Sequence, residues 1–312
     1  MSWLYTAMML HGCVDYVIQD PDVDAVPDVL VEERFVQAPF PDVDVLFVVD
    51  STGSMADEQT TLADAAAAFV GALASLDLSY QIGVVTTDPL DEGVLLGRPW
   101  ILTAADEPDA TLAATLQVGT SSLPPAAGLY TATLALRDAG GFNRGFRRAG
   151  AGLHVIFFSD GDDQSDTWLG DDPVSAFADV LAAEEAATGR VARASAIVGD
   201  VPDGCRSDAG SAIAGERYAA LADATGGRVE SICNADLSAV AEALGGVAVE
   251  WPTRFALQAR PLDGSVLVEL DGERLVDGWS VDADGPALVF DVAPAADAVI
   301  QVSYTLDAGA AR

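Results

Sequence analysis

The 312-residue sequence predicts an α/β chain: a doubly wound, mostly parallel sheet over residues 44–250, then a small all-β module over 251–312. Three observations carry this. Apolar runs at 45–49, 80–86 and 153–159 are nearly continuous rather than alternating, the pattern of strands buried on both faces of a parallel sheet. Between them lie stretches with helical spacing, such as Leu62, Ala66, Phe69, Val70 and Leu73, recurring at three and four. From Thr253 the period changes to alternation broken by Asp-Gly and Pro turns, which reads as short antiparallel strands.

Taken in order, residues 14–43 are acidic, carry Pro21, Pro27, Pro39 and Pro41, and show no sustained period, so they read as a tether. The strand at 45–49 stops at Asp50-Ser51-Thr52-Gly53-Ser54, with Gly53 expected to let the chain bend sharply. A helix over 56–76 follows, and a second buried strand over 80–86 ends in Thr86-Thr87-Asp88. Residues 94–103 fit a short edge strand and 109–117 a helix; Gly119-Thr120-Ser121-Ser122 leads into a helix over 126–136. The strand at 153–159 stops at Asp160-Gly161-Asp162-Asp163. Helices over 173–188, 211–224 and 235–247 alternate with strands over 192–198 and 228–232. In the last module 265–270, 279–281, 287–291 and 298–306 read as four short strands.

Asp50, Thr52 and Ser54 set one carboxylate and two hydroxyls at the carboxyl end of a strand, where open α/β sheets bind ligands. Oxygen-only donors select Mg²⁺, Ca²⁺ or Mn²⁺ over zinc or copper. The same residue types also cap helices, a second reading that holds equally for Thr120-Ser121-Ser122. Asp160, Asp162, Asp163 and Asp166 offer a separate calcium loop as an alternative, although an EF-hand loop needs Gly where Ser165 stands. His154 is the only His beyond the leader and sits inside an apolar strand, so a Ser-His-Asp or Cys-His centre has no base. Zinc motifs lack their ligands, and without Lys there is no P-loop.

Val45-Leu46-Phe47-Val48-Val49-Asp50-Ser51-Thr52-Gly53-Ser54-Met55 resembles the D-x-S-x-S opening of a von Willebrand factor A-type domain, with Thr52 where that family more often has Ser. The resemblance runs from Asp44 to Val249. It implies a Rossmann-like doubly wound sheet and a metal-ion-dependent adhesion site binding Mg²⁺ (or Ca²⁺ or Mn²⁺). Ser54, Thr52 and Thr120 would hold the ion directly, with Ser121 as a substitute for Thr120. Asp50 and Asp160 would act at least partly through water. It further implies a protein partner whose acidic residue completes the coordination. A metal-dependent hydrolase, with Asp88 as its base, and a structural envelope scaffold with a vestigial site are the alternatives; no catalytic residue is assigned. The C-terminal module resembles the β-sandwich-like appendage behind such domains in bacterial lipoproteins, on Asp271-Gly272-Glu273-Arg274-Leu275 and on the run 278–284.

Charge and cysteines bear on location. Fifteen basic residues, all Arg, against 49 acidic ones give −34, which repels nucleic acid and anionic lipid and favours basic partners. No apolar run is long enough for a membrane span. Residues 3–10 are apolar and end at Leu10-His11-Gly12-Cys13, similar to the lipobox of bacterial lipoproteins, whose Cys carries the lipid; a buried N-terminal segment is the other reading. With Cys13 lipidated, residues 1–13 are a signal, the protein is exported to the outer membrane or cell surface, and only its lipid meets the membrane. Cys205 and Cys233 then remain as a pair, read as a disulfide, the alternative being two buried thiols.

Overall fold

A computed structural model describes residues 29–137, 140–207, 210–282 and 285–306. Cys13 and the leader lie outside the described residues. The chain divides into two compact units, one of 36–253 with 292–298, the other of 254–291 and 299–306 with the strand that runs up to residue 35. That strand, β1 (Leu30–Val36), corrects the expected tether: Val31 and Phe35 pack on the core of the smaller unit. Its period-two signal is real but short, and Glu32 and Glu33 mask it in a composition-based reading.

The larger unit is built on β2 (Asp42–Val49). Successive side chains of a strand point to opposite faces, so Val45, Phe47 and Val49 enter one core while Leu46 and Val48 enter the other. α1 (Ala56–Asp64) and α2 (Ala66–Ser75) replace the single helix expected over 56–76. The break falls at buried Ala65, whose N–H donates to Leu62 O, three residues back instead of four. β3 (Ser79–Thr86) then pairs in parallel with β2. Residues 94–103 lie along β3 without forming a strand, bonded only where Leu96 N–H meets Val84 O and where Ile82 bridges Leu102. Gly97 at φ +95° and Pro99, which has no N–H, break the ladder there.

α3 (Pro108–Leu116) and α4 (Gly128–Arg137) precede β4 (Gly152–Phe158), which pairs with the other edge of β2. After α5 (Asp166–Leu169) and α6 (Pro173–Thr188), β5 (Ala192–Val198) pairs with β4. A two-stranded hairpin, β6 (Cys205–Ser207) with β7 (Gly210–Ala212), leads into α7 (Glu216–Ala224). The helix expected over 211–224 therefore starts later, because Ser211 and Ala212 belong to the hairpin. β8 (Val229–Ser231) and α8 (Ser238–Val247) complete the unit.

The strand order is β3-β2-β4-β5-β8, all parallel. One face carries Leu62, Phe69, Leu73, Leu112 and Leu244, the other Leu129, Leu136, Phe177, Leu181 and Leu221. This is the doubly wound sheet that the resemblance implies. The chain winds from β2 out to β3 and then returns to the far side of β2 as β4. That reversal places the topological switch point, the ligand crevice of such sheets, at the carboxyl ends of β2 and β4. Val49 pairs with Phe158 there, so Asp50 and Ser159 emerge side by side. Near the other end, Asp44 is fully buried and held by Arg147 at 2.5 Å and Arg148 at 2.7 Å.

The smaller unit adds β9 (Arg254–Ala256), β10 (Leu267–Leu270), β11 (Glu273–Leu275), β12 (Trp279–Val281), β13 (Ala287–Phe290) and β14 (Val299–Thr305). They form antiparallel sheets β1-β14-β10-β11 and β12-β13-β9 around Phe255, Val268, Leu288, Ile300 and Tyr304. All four expected strands are present. β9 and β11, three residues each, are too short to leave a period in the sequence. Among the described residues no helix is long and apolar enough to cross a membrane.

Candidate functional site

Asp50 follows directly from β2 and is 1 % exposed. Its Oδ1 accepts from the Thr52 N–H at 2.8 Å and the Thr87 hydroxyl at 3.4 Å, and its Oδ2 from the Ser159 hydroxyl at 2.5 Å. Both carboxylate oxygens are thus engaged by donors from β2, β3 and β4 ends, a fixed geometry set by three rigid strands. Gly53 has no positive φ, and a Cβ there would meet nothing within 4 Å; the turn does not need the glycine that the sequence led us to expect.

Four residues on, Ser54 hydrogen-bonds the half-buried Asp160 carboxyl. The pKa of Asp160 is raised, chiefly by burial; the Ser54 hydrogen bond opposes this and the charge of Asp50 adds to it. Glu58, one helical turn beyond Ser54, is 7 % exposed with Oε2 unpartnered. Burial raises its pKa as well, with Asp160 and Asp57 contributing. The Met55 sulfur accepts from the Asp160 N–H at 3.3 Å, tying the first and third segments together.

The second segment is attached by a side chain that the sequence reading missed. Gln59, 3 % exposed, donates from Nε2 to Asp50 O and to Gly119 O, both at 2.8 Å, and its Oε1 accepts from the Gly119 N–H at 3.1 Å. Gly119 takes φ +91°, a conformation glycine reaches without strain. Thr120 comes next, and two residues on Ser122 N–H donates to Ser51 O at 3.1 Å while the Ser51 and Ser122 hydroxyls meet at 2.9 Å. Among the described residues the hydroxyls of Thr52 and Thr120 make no hydrogen bond. Gln59 was hidden because a polar residue on a helix reads as solvent-facing.

The capping alternatives fall away. α1 starts from Met55 with no side-chain cap. α4 is capped from elsewhere: Asp163 Oδ1 accepts from Leu129 N–H at 3.0 Å and the Ser165 hydroxyl accepts from Tyr130 N–H at 3.0 Å. The same contacts dissolve the separate calcium loop, since Asp162 accepts from Arg217 N–H at 2.9 Å, at the start of α7, and Asp166 pairs with Arg217 at 2.6 Å. Asp88 accepts from the Leu90 N–H at 2.9 Å. His154 is a core residue, its Nε2 2.8 Å from the Ser195 hydroxyl.

The disulfide joins Cys205 to Cys233. It anchors the β6–β7 hairpin beside Asp160, and the Ile213 N–H just past β7 donates to Asp160 O at 3.0 Å. Between hairpin and site lies a cleft of about 840 Å³ lined by Ser54, Asp160, Asp203, Arg206 and Ile213 among others. Among the described residues no three His, Cys, Asp or Glu side chains gather to hold a metal, so a cation here depends on hydroxyls. Asp50, Asp160, Ser54, Thr52 and Thr120 are an oxygen-only set on three segments, which fits a hard divalent ion.

No family model matches the sequence, and a search of curated proteins finds no match. Among solved structures the chain is similar to a von Willebrand factor type A protein from Catenulispora acidiphila, 14% identical with a TM-score of 0.43 over 90% of this chain. It is similar to the pilus adhesin SpaC from Lactobacillus rhamnosus GG in its open conformation, 15% identical, TM-score 0.40 over 89% of this chain. Proximal thread matrix protein 1 from the mussel byssus is 12% identical, TM-score 0.40 over 72% of this chain. The chain spans 66%, 40% and 51% of the lengths of these three structures respectively.

Proposed function

We propose that the larger unit is a cation-dependent protein-binding module of an exported, surface-attached protein. The observation that carries this is the composition of the switch-point edge. An oxygen-only cluster of Asp50, Thr52, Ser54, Thr120 and Asp160 lies amid loops bearing Leu123, Ile213 and Val201, which are 80%, 66% and 49% exposed. Exposed apolar side chains around a polar centre suit a protein surface better than a small substrate. A bound Mg²⁺, or Ca²⁺ or Mn²⁺, supplies a coordination position open to a carboxylate of the partner.

The chain's own residues divide the work. Asp50, with both oxygens already accepting hydrogen bonds, orients the turn and acts on the ion through water. Ser54, Thr52 and Thr120 supply hydroxyl oxygen, and Asp160 balances charge without saturating the ion. The Cys205–Cys233 disulfide supports an oxidising compartment, in keeping with lipid attachment at Cys13.

Isothermal titration with Mn²⁺ tests the reading: one site is expected in the wild type and none in Asp50→Ala, with the melting curve of that variant recorded alongside. Undiminished Mn²⁺ binding in a folded Asp50→Ala protein refutes it.

A further inference from the structure

We infer that the cleft between the cation cluster and the β6–β7 hairpin is a peptide groove in which Arg206 selects a second acidic group on the partner. This rests on the proposed cation-dependent reading and adds the partner's chemistry to it. The cleft's volume of about 840 Å³ accommodates a few side chains. Its near wall is Ser54 and Asp160; its far wall is the hairpin, with Arg206, Ala212 and Ile213.

That far wall is fixed to the near one. The Cys205–Cys233 bridge and the Ser207 hydroxyl, which donates to Cys233 O at 2.7 Å, hold its outer strand. Its return strand runs into the Ile213 bond to Asp160 O, at 3.0 Å. Gly210 lies flush against Glu58, where an added Cβ would come within 2.3 Å of Oε1. A groove whose two walls are bonded together has a set width, which is what discrimination between ligands requires.

Charge then names the ligand. Arg147, Arg148, Arg217, Arg228 and Arg254 are all committed to ion pairs. Arg206 is exposed and, among the described residues, forms no ion pair, and it is the one basic residue lining the cleft. A guanidinium fork left open beside a site that takes a carboxylate matches a second carboxylate, held by two parallel hydrogen bonds. Asp203 and Asp160 also line the cleft, and their carboxylates leave Arg206 as the one lining group that favours acid. Three residues of extended chain span about 10 Å, which sets the window.

A phage-displayed peptide library with one fixed central Asp, panned on the Mn²⁺-loaded full chain, tests this. The wild type is expected to enrich Asp or Glu within three positions of the fixed Asp by about fivefold, the upper end for an exposed ion pair. Arg206→Glu and Arg206→Gln are expected to lose that enrichment while binding Mn²⁺ as the wild type does. A Mn²⁺-dependent pool without acidic enrichment, one rich in Lys and Arg, or one unchanged by either substitution overturns the groove alone. Recovery undiminished by EDTA overturns the cation reading beneath it.

Discussion

Replacing Gln59 by Leu keeps the bulk of the side chain and removes its polar atoms. Three hydrogen bonds are lost, one to Asp50 O and two with Gly119, all between 2.8 and 3.1 Å. At about 1 kcal/mol net for each, the larger unit loses about 3 kcal/mol. For a unit of this size that is a fall in Tm of about 6–12 °C. Stability alone does not reveal whether the residue serves the site, so the informative measurement is Mn²⁺ titration well below the melting temperature. With Gly119 released, Thr120 is no longer presented, and loss of one hydroxyl ligand is expected to weaken Mn²⁺ about tenfold, or 1.4 kcal/mol. Thr120→Ala should cost the same, and the double variant no more than either, because both changes remove one ligand. Additive losses would refute the reasoning by showing that Gln59 acts apart from Thr120. Unchanged affinity in Gln59→Leu would refute it by showing that the loop holds its place unaided.

Two further predictions concern the frame behind the site. Asp44→Ala leaves Arg147, itself 8% exposed, with Glu184 at 2.9 Å as its remaining ion-pair partner and should destabilise the larger unit by about 3 kcal/mol in urea unfolding, the low end for breaking a buried pair; a loss below about 1 kcal/mol would show the cluster to be dispensable. His154 is fully buried, and desolvation, with Arg193 adding to it, lowers its pKa to about 3. Below its unfolded value of about 6.5 only the unfolded chain takes up the proton, so stability falls as pH drops through the window from about 6.5 to about 3. Between pH 7 and pH 5 this is worth about 2 kcal/mol, and His154→Gln should remove that much from the wild-type pH dependence. An unchanged slope in the variant would place the titration elsewhere.

The parallel sheet was legible because its strands are buried on both sides and so read as unbroken apolar runs ended by polar residues; β5 and α6 occupy the expected ranges. What stayed hidden was mostly short or held by distant contacts. The hairpin of β6 and β7 is held by a disulfide, and just past it Ile213 and Gly215 bond to Asp160 and Gly199; none of these contacts leaves a local period, so its second strand was read as part of the helix that follows. Asp44 interrupts an apolar strand for a reason visible only when Arg147 and Arg148 arrive from 103 and 104 residues away. The sequence reading singled out Asp50, Thr52, Ser54 and Asp160 because they follow the ends of apolar strands, which is where the structure has them, after β2 and β4. Thr87 and Ser159, which hold Asp50, sit at strand ends too, but their contact with it is made across the sheet from 37 and 109 residues away and leaves no local pattern.

The two carboxylates at the switch point are built for different work, and the contrast explains why the hairpin is bonded where it is. Asp50 is closed in, with donors on both oxygens and almost no exposure; it is a fixed reference for everything around it. Asp160 keeps its carboxyl toward Ser54 and the cleft, while its backbone carries the attachments, accepting from Ile213 at the carbonyl and donating to Met55 at the amide. A wall bonded to the backbone of Asp160 is positioned by that residue while its carboxyl is left to the proposed cation. Displacing that wall would shift Asp160 itself, so the disulfide that steadies the hairpin also steadies the Asp160 side of the cleft.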